Sequence, residues 1–198
     1  KSQLYTPLIS QTTGFLTDID SFLNPSQIGL SLDRDGVLNL DTNALDEAIA
    51  KDYRGVLALI GANKTGSSDS NNIRFYQASS KYTTAGTYNV EVTVSGGAIT
   101  SARMKAEADS TWRTATYSGN MVTGDGSFDD NGNPVNPENG LQLSVDLSQD
   151  GTFAATVRVK QGFAGVLNDA LNKALKASTG SMDIDQLSIE DMIGGLQD

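Results

Sequence analysis

Apolar residues recur along this chain with two periods, helical near both ends and two in the middle. In the first segment Phe15, Ile19, Phe22 and Leu23 stand at offsets of 0, 4, 7 and 8, the spacing of one helical face, which predicts a helix over residues 14–23. Asn24-Pro25 ends it, because the residue before a proline avoids helical backbone. Next, Ile28, Leu30 and Leu32 alternate with small or polar residues, Arg34-Asp35-Gly36 supplies turn chemistry and Val37-Leu38-Asn39-Leu40 resumes a strand, which reads as a β-hairpin. Asp41 or Thr42 then caps a helix with Leu45, Ala48 and Ile49 on one face and Asp46 and Glu47 in its early turns. Asp52 restarts a short helix through Val56, Leu57, Leu59 and Ile60, closed by Gly61 as a C-terminal glycine.

Gly61 to Ser68, GANKTGSS, reads as a Gly/Ser linker, and beyond it the period changes to two. Tyr88, Val90, Val92 and Val94 alternate with polar residues, Gly96-Gly97 makes a turn, and Ala102, Met104 and Ala106 alternate again. Leu141, Leu143, Val145 and Leu147 repeat the pattern, followed by a Gln149-Asp150-Gly151 turn and Phe153, Ala155, Val157 and Val159, a second expected hairpin. With weaker strands at IRFYQ (73–77) and TWRTATYS (111–118), these suffice for a small antiparallel sheet or sandwich. After Gly162 the stripe Phe163, Val166, Leu167, Ala170, Leu171, Ala174 and Leu175 predicts an amphipathic helix over 163–177. The tail, with Ile184, Leu187, Ile189, Met192, Ile193 and Leu196, reads as a short helix whose continuation has been cut away, and the missing initiator Met likewise suggests an excised fragment.

The fold class expected is therefore α+β: a discontinuous, mainly helical domain with a β-hairpin, carrying an inserted antiparallel β-sheet or sandwich domain. The expected division is 1–68 for the first part of the helical domain, 69–161 for the inserted β domain and 162–198 for the second helical part, leading to a truncated C-terminal coiled coil. Helices 42–60 and 163–177 each have an apolar face too exposed to stand alone, so Leu45, Ile49 and Leu57 are expected to meet Val166, Leu167 and Leu171.

Composition narrows the function. The 198 residues carry a formal net charge of -10, which argues against nucleic acid or an anionic membrane as partner, since phosphate contacts call for Lys and Arg. No run of about 18 apolar residues and no charged-then-apolar start occurs, so neither a membrane span nor a removable secretory signal is expected. The chain has no Cys and no His, which removes the commonest nucleophile–base pairs and nearly all zinc sites. No Lys has a Ser three residues before it, so no SxxK dyad exists. Gly61 and Gly66 have P-loop spacing, but Ser67 stands where the phosphate-binding Lys belongs. No catalytic, cofactor-binding or metal-binding residue is assigned, and the chain is expected not to be an enzyme. Paired carboxylates for glycoside hydrolysis stay open as a third class, because their separation is invisible in sequence.

Two stretches imitate calcium loops. SLDRDGVLNLDT (31–42) has Asp33, Asp35 and Gly36 at positions 3, 5 and 6, but Ser31 and Thr42 fill positions 1 and 12, where a carboxylate and a bidentate Glu belong. SFDDNGNPVNPE (127–138) has Asp129, Asn131, Gly132 and Glu138 at positions 3, 5, 6 and 12, again with Ser127 at position 1 and with Pro134 and Pro137 where an exiting helix should begin. The first stretch is most simply a β-turn followed by a helix cap, which uses its Asp residues and Gly36 without a metal.

IGLSLDRDGVLNLDTNALDEAIAKDYRGVLALIG resembles the C-terminal region of the flagellar hook-associated protein 2 family, the filament cap. Ile28, Gly29, Asp35, Gly36, Leu38, Asp41, Leu45, Ala48, Asp52, Val56 and Leu59 match the family's order of features, whereas Leu59-Ile60 departs from its usual Leu-Phe. GFAGVLNDALNKAL before the Gly180 linker is similar to the segment that leads into the family's coiled coil. The resemblance implies a structural subunit exported through the flagellar type III route, with its export machinery or chaperone, to the extracellular filament tip. There it would oligomerise with itself, meet flagellin and neighbouring hook–filament junction proteins, and assist flagellin incorporation. The runner-up is an extracellular adhesin or carbohydrate-binding β module using loop 124–139, with or without calcium.

Overall fold

The computed structural model describes residues 8–169, and elements beyond 169, including Leu171 and the expected coiled coil, lie outside the described residues. Residues 14–23 do not form the expected helix but a succession of turns. Gly14 and Asp18 have φ of 84° and 70°, left-handed backbone that a right-handed helix does not tolerate. Asp20 Oδ2 accepts the Leu16 N–H at 2.8 Å, and the Thr12 N–H donates to the Leu23 carbonyl at 2.7 Å. Phe15 and Phe22 are buried all the same, while Ile19, a member of the expected stripe, is exposed. The apolar spacing thus marked side chains that go inside without marking a helix.

A single 3-10 turn (Pro25–Ile28) leads into the hairpin of β1 (Leu30–Leu32) and β2 (Leu38–Leu40), paired antiparallel with Ser31 opposite Asn39. Helix α1 (Thr42–Gly61) follows, capped by Asp41, whose side chain accepts the N–H groups of Asn43 and Ala44 at 3.0 and 3.2 Å. Asp52 breaks α1 with φ −159° and ψ 89°, then caps its second half by accepting the Gly55 N–H at 2.9 Å. The restart at Asp52 is as the sequence reads. The stop is not: Gly61 is the last helical residue, and the cap is Ala62, with φ −57°. Ala48, Val56 and Leu59 face Phe15, Phe22 and Ile28 to make a small core, whereas Ile49 and Leu57 are exposed. The covered face of α1 is therefore packed by the irregular segment before it. Residues 163–169 are helical.

The rest is β. One sheet runs β3-β11-β5-β6-β7, built from β3 (Asn63–Ser68), β5 (Gly86–Ser95), β6 (Ala98–Ala106), β7 (Arg113–Thr114) and β11 (Gly151–Gln161). The other runs β4-β10-β9-β8, from β4 (Ile73–Gln77), β8 (Thr116–Ser118), β9 (Met121–Thr123) and β10 (Gln142–Val145). Alternation fixes the register: Val90 lies opposite Ala155 on β11 and Met104 on β6, and all three are buried. Ile73, Val122, Leu143 and Val145 close the same core from the second sheet, giving a sandwich. Each such side chain contributes on the order of 1.5–3 kcal/mol by leaving water.

Three expectations change. The chain is α+β but mostly β, because residues 14–23 turn and residues 63–68 are a strand rather than a linker, paired with β11 from Ser68–Val157 to Asn63–Gln161. Small side chains suit this strand: a Cβ on Gly66 would lie 2.3 Å from the Phe75 ring, so the two sheets close over a bare backbone there. The second expected hairpin does not form, since β10 pairs with β4 and β9 while β11 pairs with β5. Both strands have one apolar face and satisfy it from opposite sides of the core, so the chain crosses between sheets. Asp150 marks that crossing, accepting the N–H groups of Gly96 and Gly97 at 2.9 and 3.3 Å.

Candidate functional site

The two calcium-like stretches share one local structure, and it is a turn. Asp33 Oδ1 accepts the N–H groups of Asp35 and Val37 at 2.9 and 2.8 Å, and its own N–H donates to the Val37 carbonyl at 3.0 Å. Asp129 repeats this with Asn131 at 2.9 Å, Asn133 at 2.8 Å and the Asn133 carbonyl at 2.9 Å. Gly36 and Gly132 take φ of 86° and 76°, the left-handed backbone that needs glycine at that place. Backbone N–H donors, Val37 first for Asp33 and Asn133 first for Asp129, hold both carboxyls below the usual Asp range. In both stretches the Asp side chain thus has a turn-forming role that needs no metal.

Glu138, the would-be twelfth ligand, is fully buried and points to the protein. Its two oxygens accept Arg113 Nε and Nη2, the latter at 2.8 Å, and Arg113 Nη2 also bonds Asp109 at 2.5 Å. The Tyr88 hydroxyl sits between the carbonyls of Thr84 and Pro137, the second at 2.8 Å; burial, and then the Glu138 charge, push its pKa above the ordinary value. Asn139 Nδ2 donates to the Ser127 carbonyl at 3.1 Å, and Asn136 Nδ2 donates to Asp125. Loop 124–139 is thus a braced arm whose exposed tip carries Phe128 and Val135, with Phe128 set edge-on to Tyr82 at 4.9 Å. The pairing of Arg113 with Glu138 was not legible in the sequence, which marks Glu138 only as the twelfth position of a calcium-like stretch and does not mark Arg113.

Further exposed apolar side chains lie on the first part of the chain: Val37, Leu38 and Leu40 on the hairpin, and Ile49, Tyr53 and Leu57 on α1. Among the described residues no group of three or more His, Cys, Asp or Glu side chains could hold a metal, and no helix is long and apolar enough to cross a membrane.

A braced β-sandwich with buried charge at the root of its loops, joined to a hairpin and a helix, defines the class as an α+β protein that is mostly β. The chain belongs to the flagellar hook-associated protein 2 C-terminus family, whose model matches residues 3–198. This is a family of structural flagellar proteins, and the chain has a flagellar, hook-associated role. No curated protein and no solved structure matches it.

Proposed function

We propose that this chain is a structural subunit of the flagellar filament cap, which oligomerises at the filament tip outside the cell and assists flagellin incorporation. The observation that carries this reading is the family match across residues 3–198. In this reading residues 69–161 are an inserted β unit carried by residues 1–68 and 162–198, with β3 lending its hydrogen bonds to that unit's sheet. The exposed set Val37, Leu38, Leu40, Ile49, Tyr53 and Leu57 supports association with like subunits. Loop 124–139 is the part best braced to touch flagellin. Hook–filament junction proteins are neighbours in the same assembly, and the export machinery or a chaperone handles the chain on its way out.

Localisation tests the reading. The full-length protein of the source bacterium, labelled at an exposed position such as Asp130, is expected as a single focus at the distal end of each filament. Label spread along the filament, or found at the cell body alone, would overturn the cap assignment. Replacing Leu38 and Leu57 together with Asp is expected to lower the population of oligomers in the full-length protein, read by light scattering.

A further inference from the structure

Lys64 sits in an arrangement that association does not explain. It is 8% exposed, and its φ of 54° is left-handed, a backbone disfavoured for any side-chain-bearing residue. The register of β3 on β11 slips here: Thr65 pairs with Lys160 and Asn63 with Gln161, so Lys64 is the extra residue of a β-bulge. Bulges re-aim side chains, and this one turns the Lys64 side chain to line a cleft of about 650 Å³. Cleft volumes of this size take small ligands.

Among the described residues the Lys64 charge has only a neutral hydrogen-bond partner. The Lys64 ammonium donates to Gln161 Oε1, a neutral acceptor, and Gln161 Nε2 donates in turn to Asp169 at 2.8 Å. No carboxylate of the described residues lies within ion-pair distance of Lys64. Burial pushes its pKa below the ordinary lysine value, and the more distant Asp169 charge only partly offsets this. A buried ammonium with three donors and one neutral partner is costly unless an anion completes it.

We propose that this cleft is a binding site for a monocarboxylate, with Lys64 as the charge partner. Besides Lys64 the cleft is lined by Lys81 and Asp169, so two cationic side chains against one carboxylate leave one net positive charge, which a single carboxylate matches. The hydroxyls of Thr13, Ser80 and Thr84 line the same space and can donate to the second carboxylate oxygen, while Tyr82, Pro134 and Val166 offer apolar cover for the stem of the acid. The carboxylate comes either from a free acid or from an Asp or Glu side chain of another copy. The site stands on the cleft alone and does not depend on the cap assignment.

Titration followed by amide NMR decides it. With propionate as probe, the amides of Lys64, Thr65 and Thr84 are expected to shift saturably, while propionamide, its uncharged analogue, leaves them in place. Lys64→Met, with the rest of its spectrum unchanged, is expected to weaken propionate more than about tenfold, the loss of a charged hydrogen bond. A dilution series separates the sources: if the same amides move on dilution and propionate competes, the carboxylate belongs to another copy, and if they stay, it is a free acid. Equal effects of propionate and propionamide, or no saturable shift with propionate and none on dilution, would overturn the proposal; the wild-type comparison holds even if the variant fails to fold.

Discussion

Arg113 and Glu138 show what one pair of side chains does for a loop. Glu138 has no exposed side-chain surface, and it is bound through both oxygens to an Arg113 that is one-fifth exposed. Removing one partner leaves the other charge buried and unpaired, so Glu138→Ala is expected to lower unfolding free energy by about 3 kcal/mol, measured as a fall in the urea midpoint. Asp129→Ala removes only an exposed turn acceptor, and its effect is expected to stay within about 1 kcal/mol. A Glu138 effect no larger than that of Asp129 would show that the loop is not braced from its root. Sequence reading caught the turn at Asp33 because an Asp two to four residues before its own partners is a local signal, whereas the same turn at Asp129 was read only as a calcium-like loop. It missed the pairing of Glu138 with Arg113 because the partner stands 25 residues away, and burial of a carboxylate leaves no mark on spacing.

Among the elements, the irregular segment 12–23 is tied to β11 by the Asp20 carboxylate and by the Gln161 N–H, which donates to the Thr13 carbonyl. Burial alone would raise the pKa of Asp20, but hydrogen bonds from the Lys160 ammonium and the Leu16 N–H, with the charges of Lys160 and Arg158, hold it below its ordinary value of 3.8. A depressed folded-state pKa means that fewer protons bind to the folded form, so this tie is present above pH 3.8 and lost as pH falls through the lower folded value. Hydrogen exchange at the Thr12 and Gln161 amides, which donate to Leu23 and Thr13, is expected to speed up on that acid side before the core amides of β5 do. Asp20→Asn should show the faster exchange already at neutral pH; unchanged protection would remove Asp20 from this role. At α1, Asp41→Ala is expected to cost about 1 kcal/mol as a lost N-cap. That cap, the β1–β2 hairpin and the β5–β6 hairpin at Gly96-Gly97 were legible because each is specified by neighbouring residues. The partners of β10 and the strand at Asn63–Ser68 were not, since both depend on strands far along the chain and GANKTGSS carries almost no apolar signal.

Across the whole molecule, a net charge of -10 sets like subunits against one another. Screening shortens that repulsion to about 8 Å at physiological salt, so any weak self-association of this 198-residue chain is expected to tighten as salt rises. Light scattering at low and high salt checks this, and looser association at high salt would mean that ion pairs, not the apolar hairpin and α1, hold the copies together. The central claim concerns what assembly is for, and the amount of unpolymerised flagellin that living cells release tests it most directly. Cells of the source bacterium lacking this protein are expected to grow short filaments or none and to shed soluble flagellin into the medium, with both effects reversed by the intact gene. Full-length filaments and no added soluble flagellin in its absence would contradict a cap that assists flagellin incorporation.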